Sequence, residues 1–102
     1  MPPEIVAVTG EVTFSNVGEL NGRLDAALRQ ARQLVIDLTD VTFIDSSGLS
    51  ALLSASTKAR ERGGAVALVL ADGEPPSIFR FRGVDRLLAL YPSREAALAG
   101  LS

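Results

Sequence analysis

Apolar positions along this chain switch repeatedly between a period of two and a period of three to four. Glu4 to Gly10 (EIVAVTG) alternates apolar with small or polar residues and stops at glycine, the pattern of a strand. Val17, Leu20, Leu24, Ala27, Leu28 and Ala31 then recur at spacings of three and four, which predicts an amphipathic helix that Ser15 or Asn16 can cap. Gln33 to Leu38 (QLVIDL) returns to alternation, with Leu34, Ile36 and Leu38 on one face. Thr39 and Asp40 give a turn-like step before Val41 to Ile44. From Ser47 to Arg62 the set Leu49, Leu52, Leu53 and Ala59 is again helical, and Gly63-Gly64 is a stop.

Ala65 to Leu70 (AVALVL) is apolar on both faces, as expected of a buried strand with parallel neighbours. Pro75 and Pro76 can open a short helix carrying Ile78, Phe79 and Phe81 and closed by Gly83. Both aromatics read as core or shoulder packing, with Phe79 as a partner contact the alternative, and Arg80 and Arg82 read as surface charges. Leu87 to Tyr91 suggests a last strand, and Pro92-Ser93 introduces a terminal helix, Arg94 to Leu101. Strands alternating with helices predict a single α/β domain over residues 1–102. Its sheet should be mostly parallel, with about four strands, about four helices and right-handed crossovers.

Composition then narrows the chemistry. At 102 residues, 47% apolar, with no cysteine and a formal charge of −2, the chain reads as one compact, intracellular-type domain. The start, MPPEIV, lacks a secretory signal, and the longest apolar run, Ala65 to Ala71, falls far short of the roughly 20 residues that span a bilayer. A cytoplasmic location without membrane insertion is expected. Without histidine or cysteine, neither a serine–histidine nucleophile nor a zinc site of the usual ligands can form. The single lysine, Lys58, lies in a helical pattern and no phosphate-cradling glycine motif occurs, so no cofactor and no enzymatic activity are expected. The same position of Lys58 argues against a phospho-acceptor receiver domain. The ten basic residues are scattered and matched by twelve acidic ones, so direct nucleic-acid binding is not expected.

One stretch stands apart. IDSSGLS, residues 44 to 50, places Asp45, Ser46, Ser47 and Gly48 where a strand hands over to a helix, beyond a carboxyl strand end where functional groups gather in α/β sheets. Asp45 and Ser46 are good N-caps, Ser47 could also help cap, and Gly48 relieves crowding, so a structural turn accounts for much of this. A single cap, however, needs one side chain. Ser50, Ser54 and Thr57 moreover continue Ser46 down one helical stripe at spacings of four, four and three, a small, polar surface that a partner could approach closely, with an ordinary exposed helix face the alternative.

The stretch LVIDLTDVTFIDSSGLSALL, residues 34 to 53, resembles the signature of STAS domains, in particular of bacterial anti-sigma factor antagonists. Gly10-Glu11, the Gly63-Gly64 stop before an apolar strand, and IFRFRGVDRLLALYPSREAAL extend the likeness over nearly the whole chain. Thr13-Phe14 stands where the family often has an aspartate, Ser50 where it often has glycine, and only one strand fits before Gly10-Glu11 where the family usually opens with a hairpin. The resemblance implies that Ser46 is phosphorylated by a cognate anti-sigma factor that is itself a serine kinase. The unmodified form would bind that kinase and free a sigma factor, and a metal-dependent serine phosphatase would restore the binding-competent state. Ser46, Ser50, Ser54 and Thr57 would be the docking surface, and ATP and magnesium would belong to the partner. The alternative within the fold is a non-switching STAS subunit of a lipid-transport ATPase or of a sensor complex.

Overall fold

The computed structural model describes residues 2–70 and 88–101. Strands β1 (Glu4–Val12), β2 (Gln33–Ile44), β3 (Ala65–Val69) and β4 (Ala89–Tyr91) form one sheet in the order β1-β2-β3-β4, each neighbouring pair parallel. Helices α1 (Val17–Gln30), α2 (Ser46–Glu61) and α3 (Arg94–Leu101) alternate with the strands among the described residues. The expected short helix from Pro75 and Pro76 to Gly83, with Ile78, Phe79, Arg80, Phe81 and Arg82, lies outside the described residues, as does Leu87 of the last predicted strand.

Each face of the sheet is covered by different helices. Leu20, Leu24 and Leu28 of α1 and Leu49, Leu52 and Ala55 of α2 pack with Val6, Val8, Leu34, Ile36, Val66 and Leu68. On the other face, Ala97 of α3 meets Val35, Ala67 and Val69. This is why AVALVL shows no alternation: both of its faces are buried. Arg94 of α3 donates from Nε to Oδ2 of Asp37 in β2 at 2.6 Å. Burial pushes the Asp37 carboxyl up, but hydrogen bonds from Thr39 and Arg94, with the Arg94 charge, outweigh it and hold the group below the ordinary carboxylate value.

The first two strands depart from the expected boundaries. Gly10 does not end β1: at φ 74° it lies in the left-handed region inside the strand, which continues to Val12. Thr39 and Asp40 are not a turn either, for β2 runs unbroken from Gln33 to Ile44. The pairing of β1 with β2 slips between Ala7 and Thr9 and again between Gly10 and Glu11, and at each slip β2 carries the additional residue. One slip would turn every following side chain to the wrong face, and a second restores the phase. Leu34, Ile36, Leu38, Val41 and Ile44 therefore all reach the same core. The first bulge is braced by Asp37, whose Oδ1 accepts from the Thr39 N–H at 2.9 Å and from the Thr39 hydroxyl at 2.5 Å.

Smaller differences have similar local causes. Ala31 is buried but extended, one residue past the end of α1. Asn16 occupies the N-cap position of α1 without capping it, because its side chain turns back into the preceding loop. The Gly63-Gly64 stop is as expected: Gly64 N–H reaches the Ala59 carbonyl at 2.8 Å and Gly63 N–H that of Arg60 at 3.0 Å, closing α2 with Gly63 at φ 79°.

Candidate functional site

At the carboxyl ends of β1 and β2, the chain enters α2 through Asp45, which is extended while Ser46 is already helical. Its Oδ1 accepts from the N–H groups of Ser47 at 2.9 Å and Gly48 at 3.1 Å, satisfying two of the otherwise unpaired donors of the first turn. Its Oδ2 accepts from the Phe14 N–H at 3.0 Å, and its own N–H donates to the Val12 carbonyl at 3.0 Å. One aspartate thus joins three segments. Burial pushes its carboxyl up, yet the N–H groups of Gly48, Phe14 and Ser47 outweigh this and hold it below the ordinary carboxylate value.

Capping by Asp45 leaves the serines free of that task. Ser46 is exposed, Ser47 is half-buried, and neither hydroxyl makes a hydrogen bond among the described residues. Of the three candidates for the cap, Asp45 holds it and neither Ser46 nor Ser47 does. Gly48 is buried against the strand ends, where an added Cβ would fall 2.6 Å from Ile44 Cγ1 and 2.7 Å from Val12 Cγ1. The glycine lets the first turn of α2 sit directly on β1 and β2.

Ser46, Ser50, Ser54 and Thr57 are all exposed along α2. With a rise of 1.5 Å per residue they form a strip about 16 Å long. The helix buries Leu49, Leu52, Ala55 and Ala59 behind it, while Leu53 is half-buried at its margin. Lys58, beside the strip, pairs with Asp25 of α1 at 2.9 Å.

The exposure of two aromatic side chains was not anticipated from the sequence. Phe14 is 83% exposed beside Asp45, and Phe43, at the end of β2, is 54% exposed. An aromatic among Thr13, Ser15 and Asn16, outside any periodic pattern, was the available signal for Phe14. Next to this loop, a cavity of about 270 Å³ is lined by Val8, Glu11, Asn16, Glu19 and Arg23, among others. Among the described residues no group of three or more acidic side chains gathers to hold a metal ion, and no helix is long and apolar enough to cross a membrane.

Known proteins resemble this chain in sequence and in fold. An anti-sigma F factor antagonist from Paenibacillus polymyxa is 28% identical over 101 residues, spanning 95% of this chain and 85% of that protein. The crystal structure of an anti-sigma factor antagonist from Mycobacterium paratuberculosis superimposes with a TM-score of 0.79 at 27% identity, over 95% of this chain and 83% of that one. The Bacillus cell fate determinant SpoIIAA, in its phosphorylated form, gives a TM-score of 0.69 at 18% identity over 96% of this chain and 89% of that one, a likeness of fold. The family model of the STAS domain matches residues 3–97, through the turn, the strip and all four strands, so the chain belongs to the STAS domain family.

Proposed function

We propose that this protein is an anti-sigma factor antagonist switched by phosphorylation of Ser46. In its unmodified form it binds an anti-sigma factor that is also a serine kinase, displacing a sigma factor, and a serine phosphatase reverses the modification. Ser46, Ser50, Ser54 and Thr57 form the docking strip. The observation that carries the reading is the division of labour at the turn: Asp45 caps α2, and the exposed Ser46 hydroxyl makes no hydrogen bond among the described residues. Similarity to proteins named anti-sigma factor antagonists supplies the partner class.

The chemistry of the switch follows from position. A phosphate adds about −1.5 to −2 charge, and the first turn of a helix tolerates an anion because its N–H groups and dipole point outward. The domain therefore stays folded when modified. Added charge and bulk act at the docking strip, where a close-fitting surface would have to accommodate them beside the Asp45 carboxylate. No nucleophile–base pair is needed in the antagonist, which serves as the substrate of the kinase.

Incubation with the anti-sigma kinase and ATP, followed by peptide mass spectrometry, tests this reading. Phosphate is expected on Ser46 and absent from a Ser46→Ala variant. Phosphate found only on Ser47, or on neither serine, would overturn the switch.

A further inference from the structure

The loop between β1 and α1 holds an aromatic ring in water beside the Ser46 turn. Phe14 is 83% exposed, against 54% for Phe43 and 38% for Ile5, the other large apolar side chains left open among the described residues. Its backbone is nevertheless firmly held. Phe14 N–H donates to Asp45 Oδ2 at 3.0 Å, Thr13 N–H to Asn16 Oδ1 at 2.9 Å, and Asn16 Nδ2 to the Glu11 carbonyl at 2.8 Å. A phenyl ring outside the core contributes little to folding, and a rigid aromatic loses little conformational freedom on docking. A braced loop displaying such a ring has the form of a binding anchor.

Charge around the loop specifies what it fits. Glu11 and Glu19 are exposed and line the cavity next to the loop, while Arg23 in the same cavity is turned onto the Ala7 carbonyl at 2.7 Å. Among the described residues the ion pairs are Lys58 with Asp25 and Arg94 with Asp37, so neither glutamate is neutralised by one. Asp45, which accepts from the Phe14 N–H, adds a third carboxylate. A second copy of this chain would bring acid against acid across a two-fold contact. A partner with an apolar pocket rimmed by arginine or lysine is complementary.

We propose that Phe14 is the apolar anchor of the surface on which the anti-sigma factor docks, its ring entering an apolar pocket of that partner and Glu11 and Glu19 facing basic side chains on the pocket rim. The inference rests on the antagonist reading and extends the docking surface from the α2 strip across the Asp45 bond to the β1–α1 loop. Aromatic side chains in the centre of an interface carry a disproportionate share of its affinity. Phe14 would then set strength and choice of partner, while Ser46 sets the state of the switch.

The test is calorimetric titration of the purified anti-sigma factor with the unmodified protein and with Phe14→Ala, Ile5→Ala and Glu11→Gln/Glu19→Gln variants, at low and moderate salt. Phe14→Ala should bind more than about tenfold more weakly with an unchanged melting temperature, while Ile5→Ala, at the far end of β1, binds like the unmodified protein. The double glutamine variant should lose part of the salt dependence. Equal affinity of Phe14→Ala and the unmodified protein would overturn the anchor and leave the antagonist reading standing. Failure of the unmodified protein to bind would remove both. A concentration-dependent dimer abolished by Phe14→Ala would assign the ring to a second copy instead.

Discussion

Asp45 shows how one side chain can serve two purposes that only the folded chain separates. Oδ1 caps α2 and Oδ2 holds the β1–α1 loop through Phe14. An asparagine at this position can still cap, but its amide nitrogen would face the Phe14 N–H, donor against donor. The carboxyl is held below its ordinary value of 3.8, so its contribution to stability is complete above that value and is lost as pH falls through the lower folded value. Asp45→Asn has no such titration. Its melting temperature should therefore fall less steeply than that of the unmodified protein between about pH 5 and about pH 2.5, the other carboxylates acting equally in both. Identical slopes in thermal scans across that range would show that the bonds to Asp45 are not the source of the shift. At this scale the sequence made the identity of the turn legible, because Asp, Ser and Gly in a row have few other uses at a strand-to-helix step. It left open which oxygen caps, since Asp45, Ser46 and Ser47 are all chemically able to. The bond to Phe14 was invisible, spanning 31 positions between segments with no shared pattern.

Elements were legible where a single period and a clear stop coincide. The terminal helix Arg94–Leu101 matches its expected bounds, with the Ser93 hydroxyl accepting from the Ala96 N–H at 3.1 Å as a helix start requires. The β1 and β2 boundaries were less legible because a bulge breaks alternation just as a turn does, and Thr39-Asp40 or Gly10 fits either. What joins the elements at the turn is Gly48. A Cβ there gains about 1 kcal/mol of helix propensity but must displace Ile44 and Val12, and inserting an extra methylene into a packed core costs about 1–3 kcal/mol. Both neighbours are buried and β-branched, with little room to rotate. Gly48→Ala should therefore be net destabilising, by about 1 kcal/mol in urea denaturation. A variant as stable as the parent or more so would mean that α2 does not seat on the strand ends as closely as described.

For the molecule as a whole, the order β1-β2-β3-β4 with α1 and α2 on one face and α3 on the other puts the Ser46 turn at one end of the sheet. The α/β class and the parallel sheet followed from alternating periods and from the two-sided AVALVL strand. The exposed polar strip along α2 could be read from spacing alone, whereas the acidic loop beside it needed the β1–α1 and β2–α2 connections to be brought together in space. The central claim is that a charge at Ser46 changes binding without changing the fold, and it has one direct measurement: titration calorimetry of the anti-sigma factor with the unmodified protein, Ser46→Ala and Ser46→Asp, each first checked by thermal unfolding. Because Ser46 is exposed and does not cap, Ser46→Ala should stay within about 0.5 kcal/mol of the parent stability and bind equally well. Ser46→Asp, with a negative group at a helix N-terminus, should fold as well and yet bind more than about tenfold more weakly, a loss of at least about 1.4 kcal/mol. Binding of Ser46→Asp as tight as that of the unmodified protein would contradict the account.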